Sequence, residues 1–256
     1  MLKFSLTAVL LFLAAYLAVC VALFILQRSM LYYPTPPVST SEAEVIWLKN
    51  EEQNLKVWHV RRAGGRALLY FGGNAEDVAL NIAGFKQLFP EHSIYLLNYR
   101  GYGGSSGSPT ETGLFADSRA LYDLAAQRHT DIDVIGRSLG TGVAVYLAAN
   151  RPVRRLALVT PYDSMTSLAS AFYPYLPVSW LLLDRYDSLG MAESLSGQTL
   201  IVVAEHDEVI PRKRTDALIA ALRPENTRVQ VISAAGHNTI GNSPSYEQAL
   251  TDFFTR

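Results

Sequence analysis

The chain predicts an α/β fold: a mostly parallel sheet with helices on both faces, preceded by one apolar helix. Three observations lead there. Short apolar runs alternate with longer helical stretches from Ala67 to Phe254, the pattern of strands covered on both faces by crossover helices. A Gly-Arg-Ser-Leu-Gly turn stands between one such run and an alanine-rich helical stretch. The first thirty or so residues are almost wholly apolar.

The apolar N-terminus comes first. Phe4 to Leu26 is interrupted only by Ser5, Thr7 and Tyr16. As a helix it rises about 35 Å, enough for a hydrocarbon core of about 30 Å. Lys3 precedes it, Arg28 follows it, and Tyr32 and Tyr33 stand at interfacial depth before Pro34, Pro36 and Pro37. The preferred reading is an uncleaved single-pass anchor, because the run exceeds a signal-peptide core and no small-x-small cleavage site follows. A cleaved signal peptide and a lipoprotein signal, from Leu17-Ala18-Val19-Cys20, are the alternatives. The weak charge difference favours placing the domain that follows on the non-cytoplasmic side. The expected organisation is an anchor over residues 1–30, a linker over 31–41 and one α/β domain over 42–256.

Within that domain, Val45–Leu48 and Leu55–Val60 read as antiparallel strands around a polar turn. Buried strands follow at Ala67–Phe71, Ser93–Tyr99, Ile132–Ile135, Leu156–Thr160, Thr199–Ala204 and Arg228–Ile232. Helices are expected after the Gly72-Gly73-Asn74-Ala75 turn to about Phe89, from about Glu111 to Arg128, from the glycine-serine turn to about Asn150, and from Ser245 to Phe254. Residues 163–198 break the alternation with Phe172, Tyr173, Tyr175 and Trp180, interrupted by Pro174 and Pro177. They read as a small helical cap above the strand ends, whose aromatics either line an acyl pocket or pack the cap onto the body.

Active residues of such sheets collect at the strands' C-terminal ends. That rule selects Ser138 in Gly136-Arg137-Ser138-Leu139-Gly140, a G-x-S-x-G in strand–turn–helix context. The pentapeptide alone recurs by chance in roughly one chain in ten of this length, so its context carries the weight. A serine hydroxyl needs a base to take its proton, and the base needs an oriented partner. His237, in the loop after the last strand, is the base candidate. His59, His92, His129 and His206 fit less well by position. Asp207, after the preceding strand, is the acid candidate. Glu205 and Glu208 are neighbours able to replace it, and Asp163 is the runner-up. The order Ser138, Asp207, His237 is the order a nucleophile-elbow sheet imposes. Backbone N–H groups of Leu139 and of Asn74, or a neighbour of Asn74, are the oxyanion-hole candidates. The Asn74 side chain is also a candidate helix cap.

Other classes find little support. The net charge of −1, without a lysine- or arginine-rich run, gives no nucleic-acid footprint. A single cysteine, Cys20, excludes an intrachain disulfide and a cysteine metal cluster. No paired-histidine metal motif is present. Ser106 stands where a dinucleotide fingerprint beginning at Gly101 and Gly103 wants its third glycine. No cofactor and no metal are expected.

Asn98-Tyr99-Arg100-Gly101-Tyr102-Gly103-Gly104-Ser105, Gly107-Ser108-Pro109-Thr110, Gly136–Gly142, Glu205–Pro211, Gly236-His237-Asn238 and Leu31-Tyr32-Tyr33-Pro34 resemble the α/β-hydrolase superfamily. More closely they resemble its membrane-anchored serine hydrolases of the serine-aminopeptidase or lysophospholipase-like kind, with relatives that deacylate proteins or lipids. The resemblance spans about residues 42–256 and implies an α/β-hydrolase fold, the Ser138–Asp207–His237 triad and an ester or thioester substrate. One departure is Gly72, where relatives usually carry histidine. The function expected is a serine hydrolase acting on small-molecule or lipid acyl substrates at a membrane. An acyltransferase, a peptidase on the same triad and a non-catalytic tethered interaction module are the alternatives.

Overall fold

A computed structural model describes residues 2–255. Arg256, the last residue of the expected domain, lies outside the described residues, as do the side chains of residues 2–5, Lys3 among them. An eight-stranded sheet organises the chain in the order β1-β2-β4-β3-β5-β6-β7-β8. β1 (Glu44–Asn50) and β2 (Gln53–Val60) form the antiparallel hairpin, and β2 pairs antiparallel with β4 (Ser93–Leu97). From β4 onward every pairing is parallel, through β3 (Arg66–Phe71), β5 (Asp131–Arg137), β6 (Arg155–Val159), β7 (Gln198–Ala204) and β8 (Thr227–Ile232).

The inner parallel strands carry mostly apolar side chains at successive positions because both faces are covered; β8, read from the sequence as buried, is an edge strand whose Arg228, Val229, Gln230 and Val231 are exposed. Leu69, Phe71 and Val134 face one core with α3 (Glu111–Ala126) and α4 (Leu139–Asn150). Leu68, Tyr70 and Ile135 face the other with α2 (Ile82–Leu88) and α9 (Pro244–Thr255). Thr110 opens α3 by accepting the Gly113 N–H at 3.0 Å. Three short helices, α5 (Met165–Phe172), α6 (Val178–Leu181) and α7 (Ser188–Met191), build the expected cap.

Three elements differ from the sequence reading. The segment after Asn74 is irregular until Val78, then forms a 3-10 turn and the short α2. The N-cap there is Asp77, which accepts the Ala79 N–H at 3.1 Å, so Asn74 is not the cap. A helix not anticipated, α8 (Arg212–Ala221), joins β7 to β8. The apolar N-terminal helix α1 runs from Leu2 to Leu31, one residue past the expected anchor over residues 1–30. Its stretch from Leu6 to Leu31 is long and apolar enough to cross a membrane.

The position of α4 is set by an absence of side chains. A Cβ on Gly140 would collide with the carbonyl of Phe71 and stand 2.6 Å from that of Gly72. Helix α4 thus lies directly against the end of β3. Gly140→Ala should push these backbones apart and lower stability by about 1–3 kcal/mol, read as a lower urea midpoint at unchanged slope.

Candidate active site

Ser138 follows β5 and opens α4 with φ 49° and ψ −117°. A non-glycine residue there costs about 1–3 kcal/mol and is held only by its surroundings. Its N–H donates to the Val159 carbonyl at 2.9 Å, and its carbonyl accepts the Thr141 hydroxyl at 2.6 Å. Its own hydroxyl caps no helix N–H. That hydroxyl lies 2.8 Å from His237 Nε2.

His237 sits in the loop after β8, 4% exposed. Its Nδ1 faces both carboxylate oxygens of Asp207, at 3.0 and 2.9 Å. A proton on Nδ1 between those oxygens leaves Nε2 as the acceptor facing the hydroxyl. Asp207 is fixed by its own turn, where Oδ1 accepts the N–H groups of Val209 and Ile210 at 2.9 and 2.7 Å. Glu208 does a different job: its carboxylate accepts the backbone N–H of His237 at 2.9 Å. That bond holds the Glu208 carboxyl below its ordinary range.

The remaining acids and histidines lie elsewhere. Asp163 is buried and bonded to Arg214 at 3.0 Å and to the Ser164 N–H at 2.8 Å. Glu205 accepts the Ala234 N–H at 2.8 Å. His92 pairs with buried Asp133, His129 with the Tyr95 hydroxyl, and His59 stacks on Tyr95. His206 is exposed beside Glu205.

The turn after β3 comes up against the serine. A Cβ on Gly73 would stand 3.5 Å from the Ser138 Cβ. The Gly73 N–H is already engaged, donating to Glu76 Oε2 at 2.5 Å. The backbone N–H of Asn74 has no acceptor among the described residues. Leu139 is the first residue of α4, where an N–H has no intrahelical partner. Gly72, the departure from the family pattern, is anchored by the Tyr99 hydroxyl, which donates to its carbonyl at 2.8 Å. Burial, with Glu76 nearby, pushes the Tyr99 phenol well up, so it stays a donor. A side chain at Gly72 would strike Val78.

Sequence reasoning passed over Glu76 and the reach of Asn74. Glu76 also accepts the hydroxyl of buried Tyr70 at 2.6 Å and the Asn81 amide at 2.7 Å, and pairs with Arg137 at 3.4 Å. The side chain of Asn74 ties the turn to the end of α1. Its Nδ2 donates to the Leu31 carbonyl at 2.6 Å, and its Oδ1 accepts the Tyr33 N–H and the Tyr102 hydroxyl at 3.0 and 2.8 Å. A glutamate three residues after the Gly72-Gly73 pair is the available signal for the first. Nothing local signals the second.

Comparison with known proteins agrees with this architecture. Residues 66–190 match the model of the α/β hydrolase fold family. An uncharacterized protein of Mycobacterium tuberculosis is 34% identical over 234 residues, covering 83% of this chain and 80% of the other. The chain therefore belongs to the α/β-hydrolase superfamily. Its likeness extends to the ABHD-like members: lysophosphatidylserine lipase ABHD12 of Mus musculus is 28% identical over 243 residues, 81% of this chain and 61% of that one. Among solved structures, a Pyrococcus furiosus esterase superposes with a TM-score of 0.70 over 88% of this chain and 99% of the other, at 15% identity. That likeness is one of fold. Hydrolase activity is what the fold and these relatives support.

Glu76→Ala would leave the Gly73 N–H and the buried Tyr70 hydroxyl without their acceptor. The expected cost is about 1–3 kcal/mol for each stranded group, measured by urea unfolding against wild type.

Proposed function

We propose that this chain is a membrane-anchored serine hydrolase that cleaves acyl esters or thioesters, with lipid acyl groups the favoured substrates. The observation that carries the reading is the unbroken relay from Ser138 Oγ through His237 to Asp207, with every heavy-atom separation at or below 3.0 Å. Similarity to a lysophosphatidylserine lipase favours a lipid acyl ester.

In this reading Ser138 Oγ attacks the acyl carbonyl carbon while His237 Nε2 takes the hydroxyl proton. Asp207, ionised and bonded to Nδ1, stabilises the imidazolium. The carbonyl oxygen becomes an oxyanion facing the N–H groups of Leu139 and Asn74, at the positive end of α4. Collapse expels the alcohol or thiol, which leaves with the proton from Nε2, and Ser138 carries the acyl group. His237 then takes a proton from water, hydroxide character adds to the acyl carbon, and the free acid departs as Ser138 regains its proton. No cofactor or metal enters. Residues 1–30 serve as the anchor, 31–41 as the linker and 42–256 as the catalytic unit with its cap over about 163–198. The catalytic unit stands on the non-cytoplasmic side.

An alkyl fluorophosphonate should label the wild type and not Ser138→Ala; labelling or ester turnover that survives the substitution rejects the nucleophile. Asp207→Asn should lower kcat by about 10⁴. Asp163→Asn should instead lower the melting temperature, because it removes the partner of Arg214. If kcat follows Asp163 and not Asp207, the acid is misassigned.

A further inference from the structure

The anchor helix does not leave the body at its C-terminal end. It continues alongside the cap. Arg28 bonds to buried Asp184 at 3.0 Å, which also accepts the Tyr32 hydroxyl at 3.1 Å. The preceding residue, Gln27, donates to the Leu181 carbonyl at 3.1 Å and accepts the Leu183 N–H at 2.8 Å. Much further along α1, the Tyr16 hydroxyl donates to the Tyr175 carbonyl at 2.8 Å. The cap tip thus reaches a level about 22 Å along the helix from Leu31.

That contact falls inside the apolar span. The stretch of α1 long and apolar enough to cross a bilayer runs from Leu6 to Leu31, and Tyr16 stands near its middle. A hydrocarbon core is about 30 Å thick, roughly 20 helical residues. If that stretch crosses a bilayer, the segment of the cap bonded to Tyr16 stands at membrane depth. The surface of the tip suits that position. Tyr175 is 89% exposed, Trp180 85% and Phe172 55%. These are amphipathic or apolar rings of the kind that settle at a membrane interface.

Between α1 and the cap lies a cavity of about 240 Å³. Leu23, Met30 and Leu31 form its wall on α1, and Ala169, Leu176 and Leu181 form its wall on the cap. Tyr33 and Met165 also line it. Leu31 and Tyr33 are the residues that Asn74 grips, one position beyond the Gly73 that abuts Ser138. The cavity is thus separated from the turn beside Ser138 by Leu31 and Tyr33, which line it and are bonded to Asn74.

We propose that the cap tip is immersed in the bilayer beside α1, and that the cavity between them takes one acyl chain of a membrane lipid sideways from the leaflet. The anchor is then half of the substrate site. The occupant's role as substrate rests on the hydrolase reading; the immersion does not.

Two measurements on the full chain in phosphatidylcholine liposomes separate these. In the first, the lipid carries brominated acyl chains, and the emission that Trp180→Phe removes is followed. The expected result is quenching of that emission to half or less of its value in unbrominated lipid. Equal emission in the two lipids overturns the immersion, whatever the catalytic activity. In the second, kcat/KM for p-nitrophenyl dodecanoate is divided by that for the acetate. Ala169→Trp on the cap wall and Leu23→Trp on the anchor wall should each lower this ratio tenfold or more. An unchanged ratio in folded protein overturns the acyl-chain site. A wild type that turns over neither ester and takes no fluorophosphonate overturns the hydrolase reading, while the quenching result stands on its own.

Discussion

The close approach of α4 to the end of β3 is the constraint on which the rest depends. It requires Gly140 on the helix, and it requires Gly136 one turn of chain earlier, where a Cβ would lie 2.5 Å from the Gly140 carbonyl. The chain can reverse from strand to helix in so little space only by placing Ser138 at positive φ. The strain stays because the residue is bonded on both sides, to β6 through its N–H and to α4 through its carbonyl. The same reversal lifts the hydroxyl clear of the helix cap, where it would otherwise be occupied. One steric condition thereby fixes the serine, the first N–H of α4 and the distance to the turn after β3.

Around that point the carboxylates divide the work by what holds them. Asp207 and Glu208 are adjacent, yet one receives the imidazole and the other the backbone of the same histidine. Asp207 can do this because two N–H groups of its own turn orient it without adding a competing cation. Asp163 is buried at the end of β6 but faces Arg214. A carboxylate saturated by a guanidinium has little left to offer an imidazolium. Position at a strand end selects candidates, and the counter-charge discriminates among them.

Most of this was legible in the chain because it is written locally. The parallel strands are short apolar runs, the elbow is a contiguous pentapeptide, and the histidine and acid follow the last two strands. What escaped notice is written non-locally or without contrast. Helix α8 is rich in charge, Arg212-Lys213-Arg214 with Asp216, and buries only Thr215 and Leu218, so it carries no marked apolar stripe. The end of α1 at Leu31, past the polar Gln27, Arg28 and Ser29, is stabilised by the cap's Asp184 and backbone. Asn74 looked like a helix cap because asparagine before a helix usually is one. Its partners are 41 and 43 residues away in sequence, and no window along the chain could reveal them.

Asn74 also changes what the N-terminal helix means for the fold. Were α1 only a tether, its end could join the body through a flexible loop. Instead the carbonyl of Leu31 and the N–H of Tyr33 are both bonded to the side chain of Asn74, the residue after the Gly73 that abuts Ser138. The phenol of Tyr102 closes the same knot from the loop after β4. A displacement of α1 must therefore either break two hydrogen bonds to Asn74 or move the turn that carries it. Either way the geometry beside the serine responds to how the helix is seated, and the helix is seated on the cap by Gln27, Arg28 and Tyr16. Helix, cap and turn after β3 form one mechanical unit, with the serine at its meeting point.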